Sequence, residues 1–212
     1  MNFGSPNQLN DAQLCPLFPD ASRATWTTFS SANDNLPPAF KQQAFELGRF
    51  IAERQDNYCF GGMMIGLMGE ISRGINHVKE QQPHLAEFQK SAIISVPYQS
   101  YYDPSHDHHF QQIHVKQTLK EQQTHLNDQA TNFVTLPGGI GTLSEFWHTV
   151  EELRWNENYK NKSLWLVNID GAFHYLLEHI DHMIALGTAR REDFARVHVV
   201  SSIEELKKYF QD

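Results

Sequence analysis

Cysteine is scarce in this chain: Cys15 and Cys59 are the only two in 212 residues, too few for a disulfide framework or a cysteine-built zinc set. No run of eighteen apolar residues occurs, so no membrane span is expected. Positive charge is short as well. Seventeen Lys and Arg against 25 Asp and Glu leave a formal charge of −8, which argues against a nucleic-acid surface. The twelve histidines could offset part of that charge below neutral pH. The first residues, MNFGSPNQLN, lack the basic and apolar stretches of a signal peptide, and the expected location is the cytoplasm. A dinucleotide GxGxxG is missing, and no Lys-Ser or Lys-Thr follows a glycine loop, so NAD and ATP readings are weak.

What is present is a folded chain rich in aromatic residues, long enough for a substantial core in one domain. Residues 1–23 contain Pro6, Pro16 and Pro19 without a clear period. They read as an extension that Leu14, Leu17 and Phe18 could pin down, with residues 24–212 as a single domain.

The chain is organised around residues 131–153, TNFVTLPGGIGTLSEFWHTVEEL. Phe133, Val134 and Leu136 are strand-like, and Pro137-Gly138-Gly139-Ile140-Gly141 breaks any regular element. From Thr142, Leu143, Phe146, Trp147, Val150 and Leu153 recur at helical spacing. A glycine turn between strand and helix lets backbone approach an anion closely, and the open N–H groups of the helix start favour negative charge. Thr142-Leu143-Ser144-Glu145 is equally a good capping box, with Thr142 as N-cap. For Glu145, capping and catalysis both stand.

A second glycine segment, Gly61-Gly62-Met63-Met64-Ile65-Gly66-Leu67-Met68-Gly69, follows a short strand at 57–60 that places Cys59 in the core. Further strands are expected at 24–29, 91–96, 111–115, 163–168 and 197–200. Helical patterns separate them: one opened by Pro37 and Pro38, one from Gly66, one near 118–129, one ended by Gly187, and a last one capped by Ser202 and Glu205. About seven strands alternating with helices predict an α/β fold, a mostly parallel sheet with helices on both faces. Ser30 and Ser31, after the first strand, suit a ligand-facing loop or an ordinary one. The loop at 97–110 carries His106, His108 and His109 with Asp103 and Asp107, a composition that polar loops also show without metal, and no metal site is expected.

PGGIGTLSE and the segment from Gly61 to Gly69 resemble the PGGxGTxxE and GGGxxGLMG signatures of the LOG ("lonely guy") family, cytokinin-activating phosphoribohydrolases sometimes labelled lysine decarboxylase-like. The two motifs stand in the family's order, about seventy residues apart, and the element order fits from roughly Ala24 to Phe210. LGRFIAER resembles the family's LGRxLAxR and reads as packing. The resemblance implies a three-layer Rossmann-like fold and hydrolysis of the N-glycosidic bond of a nucleoside 5′-monophosphate, giving free base and ribose 5-phosphate. It implies Glu145 as the catalytic carboxylate. It further implies a nucleotide and phosphate site made of Gly138, Gly139, Gly141, Thr142, Gly61, Gly62, Gly66, Ser30 and Ser31. No metal or organic cofactor is implied, and a homodimer is.

The departures are specific. Met63 replaces the family's third glycine, and no glycine precedes Ser30-Ser31. Gln122 and Gln123 stand where family enzymes carry an Arg-Lys pair. Glutamine supplies neither the charge nor the fork of arginine, a loss of roughly 1.5–3 kcal/mol for one charge-assisted hydrogen bond, or about one or two decades in affinity. Lys116, Lys120 or Arg73 could substitute. Ser144 stands where many members have a second acid, and His148 lies one turn beyond Glu145. Two readings lead, a phosphoribohydrolase or a nucleotide- or phosphate-binding protein that lost turnover with the arginine, and a third, weaker one is metal handling by the His106–His109 loop.

Overall fold

The strand Thr25–Phe29 (β1) is buried along its whole length, as befits the middle of a sheet covered on both faces. The computed structural model describes residue 18 and residues 22–85, 90–95 and 112–211. Beside β1, the strands are Asn57–Phe60 (β2), Lys90–Ser95 (β3), Gln112–Lys116 (β4), Asn132–Thr135 (β5), Ser163–Val167 (β6) and Val197–Val200 (β7). They form one seven-stranded sheet in the order β4-β3-β2-β1-β5-β6-β7, and every neighbouring pair is parallel. The chain builds outward from β1 to β4, then returns and builds outward again from β5 to β7. The reversal lies between β1 and β5, the topological switch point where open α/β sheets bind ligands.

Among the described residues six α-helices cover the sheet: Pro38–Glu53 (α1), Gly66–Gln81 (α2), Leu119–Gln129 (α3), Ile140–Trp155 (α4), His174–Ala185 (α5) and Ile203–Lys207 (α6). Residues of α1, α2 and α6 share one core with Trp26, Tyr58, Phe60, Val134 and Trp165. Residues of α4 and α5 share the opposite core with Phe29, Phe133, Leu164 and Leu166. Alternate residues of β1, β2 and β5 thus serve opposite faces, which makes the three layers. On the second face Phe18 is buried against Cys59 and Leu126; Leu14 and Leu17 lie outside the described residues.

The LGRFIAER stretch packs as expected. A Cβ at Gly48 would stand 2.0 Å from the Ile71 carbonyl oxygen, and one at Gly74 would stand 2.1 Å from that of Phe45. Two glycines facing opposite helices therefore let α1 and α2 cross with their backbones in contact. The strand at 111–115 begins and ends one residue later than expected. Ser202 accepts from the Glu205 amide as a cap should, but the Glu205 carboxylate accepts from Ser201.

Candidate active site

Three turns meet at the carboxyl edge of the sheet around the switch point. The Ser31 amide donates to the Pro137 carbonyl at 3.2 Å, and the Ser31 carbonyl accepts from the Leu67 amide at 2.9 Å. One residue after β1 therefore ties the turn after β5 to the start of α2. Within its own loop Ser31 Oγ accepts from the Asn33 amide, and Asn33 Oδ1 from that of Asn35, so short polar side chains shape the backbone. Ser30 is buried, and its hydroxyl has no partner among the described residues; the same holds for Thr135 at the end of β5.

Gly66 makes this junction possible. Its φ is +57°, and a Cβ there would stand 2.4 Å from the Ser31 carbonyl oxygen. Its amide is already engaged, donating to Asp34 Oδ1 at 2.8 Å. The first two amides of α2 are thus satisfied from within the protein, and Gly66 contributes shape instead of an open donor. Gly62 also has a positive φ, +80°. Met63 and Met64 pack against the core.

The start of α4 is different. The helix begins at Ile140, with Gly139 as N-cap and no side-chain cap. The expected capping box at Thr142 and Glu145 is therefore absent, because the N-cap falls three residues earlier and places Thr142 in the first turn and Glu145 sixth. Thr142 is buried and packs on Gly138, where a Cβ would fall 2.1 Å from Thr142 Oγ1. Gly139 and Gly141 have nothing within 4 Å of where a Cβ would be, and Ile140 is 91% exposed. Among the described residues, none accepts a hydrogen bond from the amides of Gly138 through Thr142. Unsatisfied amides at the positive end of a sixteen-residue helix form a ready anion site.

Glu145 keeps part of its surface open but sits with its carboxyl crowded by protein, and no cation or donor among the described residues meets it. Burial pushes its pKa up to about 8. His148 is half-buried and makes no hydrogen bond to Glu145. The departure at Gln122 falls inside the same neighbourhood. Gln122 is buried on α3, with Nε2 3.3 Å from where a Cβ on Gly61 would stand, while Gln123 is half-buried. Of the possible substitutes for the missing arginine, Arg73 is held by Glu70 at 2.8 Å and Lys120 is exposed.

Sequence reasoning passed over Asp34 and Thr135. A carboxylate in the loop SSANDN, ahead of a glycine-rich helix start, was the available signal for the first. A hydroxyl at the mouth of an otherwise apolar strand was the signal for the second. The loop with His106, His108 and His109 lies outside the described residues. Among the described residues, no three His, Cys, Asp or Glu side chains are grouped to hold a metal, and no helix is long and apolar enough to cross a membrane.

Residues 58–210 match the family described as possible lysine decarboxylase. Over 186 residues the chain is 24% identical to a cytokinin riboside 5′-monophosphate phosphoribohydrolase of Arabidopsis thaliana, spanning 85% of this chain and 80% of that one. It is 27% identical over 179 residues to the enzyme of that name from Rhodococcoides fascians, spanning 84% of each. Among solved structures, the molybdenum cofactor carrier protein of Chlamydomonas reinhardtii shares the fold with a TM-score of 0.61 at 15% identity, over 89% of this chain and 96% of that one. The molybdenum cofactor binding protein of Rippkaea orientalis does so at 0.59 and 18%, over 90% and 97%.

Proposed function

The chain belongs to the LOG-type family of possible lysine decarboxylases, and from that premise we propose that it is a nucleoside 5′-monophosphate phosphoribohydrolase. The observation that carries the reading is a carboxyl crowded by protein, without a cation or donor among the described residues, on the same helix whose start offers a run of open amides. In this reading the amides from Gly139 to Thr142 hold the 5′-phosphate, with Gly61, Gly62, Gly66, Ser30 and Ser31 shaping the rest of the nucleotide cleft. The bond between C1′ and the base nitrogen breaks with its electron pair going to the base, and Glu145 gives that nitrogen its proton. Water bonds to C1′ as oxocarbenium character develops, and its surplus proton returns to the Glu145 carboxylate. The products are free base and ribose 5-phosphate, and no metal or organic cofactor enters the step. The reading includes a homodimer in the cytoplasm, and exposed Tyr175 and Leu186 on and beside α5 supply apolar surface for it.

The second reading, a nucleotide- or phosphate-binding protein without turnover, is favoured by Gln122, which brings no charge to Gly61. Incubation with AMP and with isopentenyl-AMP, followed by chromatography for free base, decides between them. Release that disappears in Glu145→Ala supports the hydrolase. Calorimetric binding without release supports the second reading, and neither binding nor release removes both.

A further inference from the structure

A cavity of about 250 Å³ lies at the amino edge of the sheet, opposite the turns at Gly66 and Gly139. It is walled by Arg154 and Trp155 in the last turn of α4, by Arg190, Glu192 and Asp193 in and beside the 3₁₀ turn Arg191–Phe194, and by Arg196 and Val197 at the start of β7 and just before it. The length of α4, roughly 24 Å at 1.5 Å per residue, separates it from the amides at Gly139.

Part of this arrangement is structural. The Asp193 side chain is 6% exposed and staples the 3₁₀ turn to α4, its Oδ1 3.1 Å from Arg154 Nε and 3.0 Å from an Arg190 terminal nitrogen. The carbonyl end of a helix also favours one cation by itself, which accounts for Arg154. Neither argument accounts for three guanidiniums. Arg196 spends one N–H on the Tyr159 carbonyl, and Arg190 has its side chain 68% exposed. Each guanidinium has five donors, so most of the fifteen meet no protein acceptor among the described residues. Glu192 is the remaining carboxylate of the lining and makes no ion pair among the described residues, so the cavity carries one net positive charge from three Arg against Asp193 and Glu192. Trp155 adds a ring 69% exposed to solvent, already stacked at 5.0 Å by the Arg154 guanidinium. An indole beside unspent forked donors recognises a flat ring joined to an oxyanion.

We propose that this cavity binds a small aromatic anion, its ring over Trp155 and its carboxylate or phosphate on Arg190 and Arg196. The test uses the full-length protein and three probes: benzoate, AMP and inorganic phosphate. The expected result is quenching of tryptophan emission by benzoate or by AMP, with phosphate alone at least tenfold weaker. Benzoate as the tighter ligand identifies a ring carboxylate, and AMP identifies a nucleotide. Trp155→Phe should abolish the quench while calorimetry still records binding, because the ring is kept. Arg190→Ala, at an exposed position that leaves folding intact by thermal melt, should weaken binding tenfold or more. The AMP signal should persist in Gly138→Ala, which separates this cavity from the α4 helix start. No quench by any probe at millimolar concentration overturns the proposal, as does an unchanged affinity in Arg190→Ala.

Discussion

Replacing Glu145 with glutamine keeps the shape of the side chain and removes its titration, which isolates the cost of burying that carboxyl. An ordinary glutamic acid titrates near 4.5, and burial pushes Glu145 up to about 8. Below 4.5 the group is protonated in folded and unfolded chains alike and costs nothing. Between 4.5 and 8 the unfolded chain has released a proton that the folded chain retains, so stability falls as pH rises through that window and levels off above it. At 1.36 kcal/mol per pH unit, the wild type should lose roughly 2 to 3 kcal/mol between pH 5 and pH 7 that Glu145→Gln does not lose. Other groups titrate in both proteins and cancel in the comparison. Urea unfolding of both proteins at the two pH values measures the difference directly, with the slope of each transition checked for constancy. Parallel pH dependence in the two proteins would show that the carboxyl is solvated in the folded state, and the argument for a proton held ready on it would fall.

Four further outcomes are expected. Release of base from AMP should decline as pH rises through about 8, because the acid form of Glu145 is consumed; a rate that climbs through that range would assign it the role of base instead. Gly66→Ala forces a side chain into positive φ against the Ser31 carbonyl, and should cost more than about 2 kcal/mol in thermal or urea unfolding, whereas Gly139→Ala, which meets nothing within 4 Å, should leave unfolding nearly unchanged. Cys59 is fully buried and its thiol is pushed up to about 12, so in a Cys15→Ser background no thiol should react with a disulfide reagent at pH 8 until the chain unfolds. Gln122→Arg should tighten AMP binding by about one to two decades in calorimetry if the family's missing charge is what this cleft lacks.

The elements were largely legible because apolar periods differ between strand and helix, and the PGGIGTLSE and GGMMIGLMG segments were legible because few residue types satisfy their turns. The start of α4 was misplaced by a local argument that was sound in itself. Thr142 and Glu145 have capping-box spacing, but first-turn residues need no acceptor for their amides, so Ile140 and Gly141 can already be helical after Gly139. The tie between Asp34 and Gly66 spans 32 residues, and the approach of Gln122 to Gly61 spans 61. No local pattern encodes either, since both depend on which flank of β1 each crossover lands. The family resemblance places Gln122 where an arginine is expected, but only the fold shows that it faces Gly61.

Ser31 joins three segments far apart in sequence with two backbone hydrogen bonds, and Asp34 adds a third link from the same loop. A guest arriving at this edge meets a floor already frozen by the protein's own contacts, so little ordering entropy at these turns remains to be lost on association. Discrimination among guests then rests on the fit of a rigid surface, and a mutation that loosens one link should weaken all guests alike before it alters preference between them.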